Sequence, residues 1–205
     1  CVCVCARARV SWDMMEKALL ASLYPEVAGM AEVVLMGGAM GVGNTGPVME
    51  FNIQTDPEAA SIVFNAGWPV TMIPIEVTHT ALVEPNVLTR IQSRDTPFCS
   101  TICRLLLFFR DTYRDVFQFE DPPLHDPCAV AYCIRPDLFT VKRMRVDIET
   151  KSELSPGQTV CDIWGQCPPD KPKNVDVVMR MDVPKFWDIM ITALHAADDV
   201  SCMNL

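Results

Sequence analysis

A glycine-rich stretch in the first third of the chain carries polar side chains that could bind a small molecule. Asn44, Glu50 and Asn52 lie in an otherwise apolar segment. Their amides and carboxylate are groups of the kind that hold sugar hydroxyls. A loop that hydrogen-bonds with itself explains the same residues equally well. The spacing therefore leaves two interpretations open, a sugar site and a self-bonded loop.

A second candidate is the segment Leu124-His-Asp-Pro127. Asp126 directly precedes a proline and an apolar stretch, as the capping residue at the start of a helix does. A carboxylate there can also reach a cation, and His125 can pass a proton near neutral pH. These two residues predict either an ordinary helix cap or part of a catalytic site.

The glycines of Gly41-Val-Gly-Asn-Thr-Gly46 have the spacing of a dinucleotide-binding fingerprint. That fingerprint requires its last glycine at the opening of a helix, where the pyrophosphate binds. Residues 47–54 carry no helix start signal, and Asn65 and Ala66 stand where an acidic residue would bind the ribose. The sequence therefore argues against an NAD-linked oxidoreductase.

Alternating helix and strand patterns connect these candidate residues. Asp56-Pro57 is a helix start, with a capping carboxylate and a proline at the first helical position, and Gly67 ends that helix. Further helices are predicted over 14–24, 98–116 and 183–197 and from 127 onward, and strands over 33–36, 69–77, 144–150, 159–164 and 175–181. This alternation predicts an α/β fold with a mostly parallel central sheet flanked by helices.

Length and charge limit the class of protein. The 205 residues are half apolar and suffice for one domain with a sizeable core. A net charge of −9 argues against a nucleic-acid partner. The purely apolar runs, such as residues 105–109, are all too short to cross a membrane, and the chain start lacks the pattern of a signal peptide. We expect a soluble cytoplasmic protein with no nucleic-acid or membrane partner.

The first ten residues, CVCVCARARV, differ from the rest of the chain. A half-buried strand explains them poorly, because cysteine and valine are both apolar and no solvent face results. Codons of TG and CG repeats would encode this pattern, so we expect residues 1–10 to be a non-homologous head before a domain over residues 11–205. The other cysteines lie mostly in apolar stretches without a Cys-x-x-Cys pair, which favours reduced thiols over a zinc site.

Five motifs follow one another in a characteristic order. They are Val34-Leu-Met-Gly-Gly-Ala, Gly43-Asn-Thr-Gly-Pro, Glu50-Phe-Asn-Ile, Asp56-Pro-Glu-Ala-Ala and Leu124-His-Asp-Pro-Cys-Ala-Val-Ala-Tyr. Together with Pro74-Ile-Glu-Val-Thr-His79, residues 108–113 and Gly157-Gln-Thr-Val, they closely resemble the inosine-uridine preferring nucleoside hydrolases. The resemblance implies an open Rossmann-like fold. It also implies an enzyme that hydrolyses the N-glycosidic bond of purine or pyrimidine ribonucleosides. It also implies a bound Ca²⁺ that activates water, and it allows a homo-oligomer.

The resemblance assigns sugar-binding roles residue by residue. Met36 corresponds to the residue that packs against the ribose. Asn44, Glu50 and Asn52 correspond to residues that bind the ribose hydroxyls. Tight hydroxyl contacts and nearby carboxylates suit the oxocarbenium-like transition state of glycosidic bond cleavage.

The resemblance also assigns roles at the reacting bond. Asp126 corresponds to a carboxylate that ligates Ca²⁺ and touches the sugar, and His125 to the acid that helps the base depart. Tyr113 corresponds to a residue that assists at the leaving base.

The chain departs from the family on its N-terminal side. The family opens with a strand ending in Asp-x-Asp-x-x-x-Asp-Asp, which supplies most metal ligands and the base that activates water. The only Asp-Asp pair here is Asp198-Asp199, and Met14-Met15-Glu16 replaces a Leu-Thr-Asn loop whose backbone oxygen binds the metal. We therefore expect the N-terminal strands of the fold to be missing, Ca²⁺ binding to be weak or absent, and nucleosides to bind without turnover. A hydrolase fragment, a non-catalytic nucleoside or ribose binder and a gene-model fragment stay open as alternatives.

Overall fold

The computed structural model describes residues 3–5, 10–12, 14–29, 32–108 and 110–204. The strands are β1 (Cys3–Cys5), β2 (Val10–Trp12), β3 (Val33–Met36), β4 (Val70–Ile73), β5 (Phe139–Met144), β6 (Val146–Ile148), β7 (Thr159–Cys161) and β8 (Val175–Met181). The α-helices are α1 (Met14–Leu23), α2 (Phe51–Gln54), α3 (Pro57–Asn65), α4 (Ile75–Thr78), α5 (Pro85–Gln92), α6 (Pro97–Leu107), α7 (Arg110–Phe117), α8 (Pro127–Ile134) and α9 (Val183–Asp199). Short 3-10 helices cover Pro25–Gly29, Pro136–Leu138 and Cys202–Asn204.

The main sheet has the strand order β2-β1-β3-β4-β8-β5. Its central strands β3, β4 and β8 run parallel, while β1 and β5 pair antiparallel with β3 and β8. All four residues of β3 and all four of β4 are buried, as parallel strands covered on both faces require. The predicted α/β fold with a parallel central sheet flanked by helices is confirmed.

The first of two compact units comprises residues 1–78 and 125–181. In it, α3 begins as predicted, because Asp56 Oδ1 accepts a hydrogen bond of 2.9 Å from Ala59 N and Pro57 opens the helix. The buried face of α3 packs against α1 and β6, and α8 packs against β1 and β3. Gly67 follows α3 with φ +80°, which suits a glycine after a helix. The first unit therefore contains the whole sheet and the helices around it.

The second unit comprises residues 79–124 and 182–205. It is a helical unit in which α5, α6 and α9 pack on one another. Its buried side chains include Val87, Ile91, Cys99, Cys103, Phe186, Trp187 and Ile191. The Asp198 carboxylate is 3% exposed and accepts a hydrogen bond of 2.6 Å from Thr96 Oγ1, which ties α9 to the start of α6.

Several element predictions need correction. The strand predicted over 69–77 ends at Ile73, and α4 follows it directly. The single helix predicted over 98–116 is divided into α6 and α7. The strand pair predicted around Gly157 exists as β6 and β7 but is shorter. Within the described ranges, no helix combines the length and the hydrophobicity that crossing a membrane requires.

The N-terminal segment takes part in the sheet where it is described. The backbone of Cys3–Cys5 pairs antiparallel with Val33–Leu35, so β3 has a neighbouring strand on each side. The assignment of residues 1–10 to a non-homologous head and of residues 11–205 to one domain stays a prediction.

Candidate functional site

The candidate site is built around the carboxyl end of β3, where the chain enters a long loop. This β3–α2 loop covers residues 37–50 and leads into the short helix α2. Asn52 Nδ2 on α2 donates to Met36 O at 3.3 Å and lies 3.2 Å from Met36 Sδ. Met36 is 2% exposed. The structure thus brings Asn52 against the end of β3, and the proposed contact of Met36 with a ribose stays a prediction.

Glu50 caps α2 and joins it to the loop. Its Oε2 atom accepts hydrogen bonds from the backbone N–H groups of Gly38 at 2.9 Å, Asn52 at 3.0 Å and Ile53 at 3.3 Å. The side chain is 2% exposed. Burial raises the pKa of Glu50 above its usual range, although the three N–H donors act in the opposite direction. The sequence prediction that residues 47–54 hold no helix start is wrong, because Glu50 is itself the capping residue.

Asn44 lies in a tight turn within the same loop. Its Oδ1 atom accepts a hydrogen bond of 2.9 Å from Phe51 N, and its backbone N–H donates to Met49 O at 2.9 Å. A Cβ atom on Gly43 would lie 2.1 Å from Met49 O, so this turn admits no side chain there. The glycine pattern that resembles a dinucleotide fingerprint therefore serves a close backbone approach.

The three polar side chains each use only part of their hydrogen-bonding capacity inside the loop. Among the residues that the structure describes, no hydrogen bond reaches Asn44 Nδ2, Glu50 Oε1 or Asn52 Oδ1. Within the described residues, one amide donor group and two acceptor oxygens are thus not used by the loop itself. Self-bonding of the loop and a sugar site are therefore compatible interpretations of these residues.

His125 and Asp126 lie at the start of α8 in the same unit as the β3–α2 loop. His125 Nδ1 is 2.7 Å from Thr78 Oγ1, and the Thr78 hydroxyl donates to Ile75 O at 3.2 Å. Both bonds are satisfied at once when Nδ1–H donates to the hydroxyl oxygen, and this tautomer puts the lone pair of the neutral ring on Nε2. The end of α4 thereby orients the imidazole.

Asp126 does not act as the ordinary helix cap that its position before Pro127 suggested. Its backbone is in the right-handed helical region, with φ −57° and ψ −39°. Its side chain makes no capping hydrogen bond to the described first turn of α8. The assignment of Asp126 to the site stays a prediction.

Tyr113 lies on α7 in the second unit. Its ring is stacked with Phe119 at a centroid distance of 6.4 Å and an interplanar angle of 5°, and it lies 5.2 Å from the ring of Phe117. The assignment of Tyr113 to the leaving base stays a prediction.

The donor set of the described residues does not fit the calcium ion that the fold family implies. Ca²⁺ takes six to eight oxygen ligands. No group of three or more His, Cys, Asp or Glu side chains in the described part of the chain could hold a metal ion. Asp126 is the one side-chain ligand that the sequence resemblance offers, and we derive no step through a metal.

Three residues near the site were not assigned a role from the sequence. Thr78 orients His125, Glu76 binds the backbone of Met40 and Gly41, and Thr159 binds the backbone of Ala39. All three lie in the motifs Pro74-Ile-Glu-Val-Thr-His79 and Gly157-Gln-Thr-Val. The two motifs can be recognised in the sequence, but the residues to which they hydrogen-bond lie far away along the chain. The sequence alone therefore did not show these contacts.

An α/β sheet with polar side chains collected at the carboxyl end of a central parallel strand is a common ligand-binding arrangement. Residues 17–188 match the inosine-uridine preferring nucleoside hydrolase family, and the chain belongs to that family.

Individual relatives agree with this assignment. The chain is 48% identical over 183 residues to a probable ribonucleoside hydrolase of Dictyostelium discoideum, covering 86% of this chain and 53% of that protein. It is 39% identical to the inosine-uridine preferring nucleoside hydrolase of Crithidia fasciculata, covering 89% of this chain and 58% of that protein.

Among solved structures, the purine-preferring ribonucleoside hydrolase from Gardnerella vaginalis matches with a TM-score of 0.81 and 28% identity, covering 92% of this chain and 60% of that one. The chain thus spans little more than half the length of these relatives.

Proposed function

We propose that this chain binds ribonucleosides through their ribose, as the sugar-binding part of a ribonucleoside hydrolase. The reaction is hydrolysis of the N-glycosidic bond of a purine or pyrimidine ribonucleoside to ribose and free base. The observation that supports this proposal most directly lies beside the end of β3. There, Asn44, Glu50 and Asn52 each have a polar side-chain atom that makes no hydrogen bond to the described residues. The names of the relatives, which are ribonucleoside hydrolases, support the same substrate class.

The chemistry of these three atoms suits a ribose. A sugar hydroxyl donates one hydrogen bond and accepts others, so it can pair with a carboxylate or carbonyl oxygen and with an amide N–H. Asn44 Nδ2 is the donor, and Glu50 Oε1 and Asn52 Oδ1 are the acceptors. Glu50 is almost fully buried, and hydrogen bonds to a charged group in a low dielectric are strong. The loop is therefore suited to hold a polyhydroxylated ring.

His125 and Asp126 are the groups we assign to the reacting bond. Protonation of the departing base lowers the barrier to cleavage, and an imidazole is suited to this near neutral pH. The contact of His125 Nδ1 with Thr78 Oγ1 at 2.7 Å orients the imidazole for this role. The Asp126 carboxylate, which makes no capping bond to the described first turn of α8, would stabilise positive charge that develops on the sugar ring.

We further propose that the chain in isolation binds nucleosides without turnover. Its 205 residues contain no Asp-x-Asp-x-x-x-Asp-Asp cluster. Without that carboxylate base the attacking water stays neutral, and sugar contacts alone stabilise substrate and transition state similarly. A cytoplasmic location and self-association into a homo-oligomer are further proposals made on the family resemblance, and we propose that Ca²⁺ binding by this chain is weak or absent.

The test is calorimetric titration of the purified chain with inosine, uridine and ribose, beside the free bases. We expect both nucleosides and ribose to bind and the bases alone not to bind. Asn52→Ala should weaken inosine binding about tenfold, since it removes one hydrogen bond to the sugar. Asn86→Ala, at an exposed asparagine on α5, is the matched control and should leave affinity unchanged. Absence of binding by all three ligands would refute the proposal.

An assay of ribose release tests the second part. We expect no turnover of inosine or uridine by this chain, with or without added Ca²⁺. Asp126→Ala should lower nucleoside affinity while leaving the melting temperature nearly unchanged, because no capping bond is lost. Turnover of inosine or uridine by the unmodified chain would refute this second part, because it would show that a carboxylate of this chain activates water.

A further inference from the structure

The segment that follows β3 has an unusual hydrogen-bonding pattern. Four consecutive backbone N–H groups, those of residues 38–41, each donate to a side chain that lies outside this short segment. Gly38 N binds Glu50, Ala39 N binds Thr159 at 2.9 Å, and Met40 N and Gly41 N bind Glu76 at 2.8 and 2.9 Å. Side chains at three distant positions thus hold one continuous strip of the β3–α2 loop.

Thr159 makes the closest of these contacts. Its hydroxyl oxygen accepts a hydrogen bond from Ala39 N, and the same hydroxyl donates to Ala39 O. The residue is 3% exposed and lies 120 positions from Ala39 in the sequence. A Cβ atom on Gly38 would lie 2.9 Å from Thr159 Cγ2, so the methyl group also packs closely against the loop. Thr159 therefore holds the backbone N–H and C=O of Ala39, which belong to the two peptide units on either side of this residue.

The turn before β7 reaches the other end of the loop. Gly157 has φ +84°, and a Cβ atom there would lie 2.6 Å from the Cα atom of Gln54 at the end of α2. Gln158 forms an antiparallel bridge with Met49. Residues 157–159 therefore contact the β3–α2 loop near its start, near its end and beside α2.

Glu76 holds the next two residues of the segment. Its Oε1 atom accepts the N–H groups of Met40 and Gly41, and the neighbouring Ile75 N donates to Gly38 O at 3.0 Å. These bonds join the segment to α4, the helix that also carries Thr78, the partner of His125. The short helix α4 thus positions both the β3–α2 loop and the imidazole of His125.

We propose that Thr159 and Glu76 are positioning residues for ribose binding. They hold residues 39–41 in one conformation before the ligand arrives, so that Asn44 and Glu50 present their unused polar atoms without ordering the loop on binding. A loop that must be ordered by its ligand binds more weakly, because part of the interaction energy is consumed by lost conformational freedom. This inference rests on the proposed ribose-binding function.

The experiment compares Thr159→Val with Thr159→Ser. Valine keeps the shape but removes the hydroxyl, while serine keeps the hydroxyl. We expect Thr159→Val to weaken inosine binding about tenfold and to accelerate amide hydrogen exchange at residues 39–41 by a similar factor. Thr159→Ser should stay within about twofold of the wild type in both measurements. Rescue by serine is a result that a merely space-filling role would not produce.

Val63→Ala is the stability-matched control. Val63 is fully buried on α3 in the same unit and makes none of the loop bonds. Its truncation should lower the urea midpoint without changing inosine affinity or exchange at residues 39–41. Glu76→Gln and Glu76→Ala form a second pair, in which glutamine keeps an oxygen that can accept the two N–H groups and alanine does not.

The outcomes separate the two proposals. If the wild type binds inosine and Thr159→Val binds it equally well, the positioning role is refuted while the ribose-binding function stands. An equal loss of affinity in Val63→Ala would also refute it, because general destabilisation would explain the effect. If the wild type binds no nucleoside, the proposed function and the role in ligand binding fail together. The exchange rates at residues 39–41 then decide by themselves whether Thr159 holds the segment.

Discussion

Replacing Glu50 with alanine is the strongest test of how the β3–α2 loop is held. The substitution removes the capping acceptor of α2, which is worth about 1 kcal/mol. It also leaves the buried N–H of Gly38 without its 2.9 Å partner, at a cost of about 1–3 kcal/mol. Relief from burying a carboxylate offsets part of this loss. We expect the free energy of unfolding to fall by about 2–3 kcal/mol in total.

Urea unfolding followed by tryptophan fluorescence measures this change. A slope of about 2–3 kcal/mol per molar urea is expected for a chain of this size, so the midpoint should fall by about 1 M. Glu50→Gln keeps one oxygen acceptor and should lose less than half as much. Glu153→Ala is the control, because Glu153 is exposed, and its effect should stay within about 0.5 kcal/mol. A Glu50→Ala midpoint equal to that of Glu153→Ala would refute the assigned role.

The same residue predicts a dependence of stability on pH. Burial raises the pKa of Glu50 above its usual value, so the folded protein binds this proton more tightly than the unfolded chain. Stability should therefore fall as the pH rises from the usual pKa of a glutamate through the raised pKa of Glu50, and it should then level off. Glu50→Gln lacks this component. The difference between the two unfolding curves, measured from about pH 4 to about pH 7, should show the fall, and a difference of the opposite sign would contradict it.

Three further predictions concern single positions. Gly38→Ala should lower the free energy of unfolding by about 2 kcal/mol or more in urea. Gly38 has φ +80°, and a Cβ atom there would lie 2.8 Å from Met72 Sδ. A urea midpoint equal to that of the wild type would show that the loop shifts freely. Asp56→Ala should lower stability by about 1 kcal/mol through loss of the α3 cap, and an unchanged melting curve would contradict this. Burial raises the pKa of the Cys161 thiol to about 12, so a thiol reagent should label exposed Cys202 faster than half-buried Cys161, and equal rates would contradict this.

Local sequence signals determined a large part of the architecture. The predicted strands over 33–36 and 175–181 agree with β3 and β8 at both ends. The helix after Asp56-Pro57 begins where the capping carboxylate and the proline require it. These features depend on residues within one or two turns of each other, and the free energies that decide them are contained in a short segment.

The family resemblance predicted the candidate site residues for a similar reason. Asn44, Glu50 and Asn52 stand within nine positions of one another, and their order with the later His-Asp pair is a pattern of residue types. Such a pattern can be recognised without coordinates. It does not show which atom of each side chain is used inside the protein and which is left for a ligand.

Tertiary contacts decided what local signals left open. The stretch after Ile73 continues an apolar run that fits a strand, yet residues 75–78 form α4 because Ile75 and Glu76 bind the backbone of the β3–α2 loop. Thr159 meets Ala39 across 120 positions, and Thr78 meets His125 across 47. The residue types at these positions were visible in the sequence. Which residues pair with each other depends on how the sheet brings distant segments together. Hydrogen bonds between such segments carry no local signature, so only the folded arrangement could reveal them.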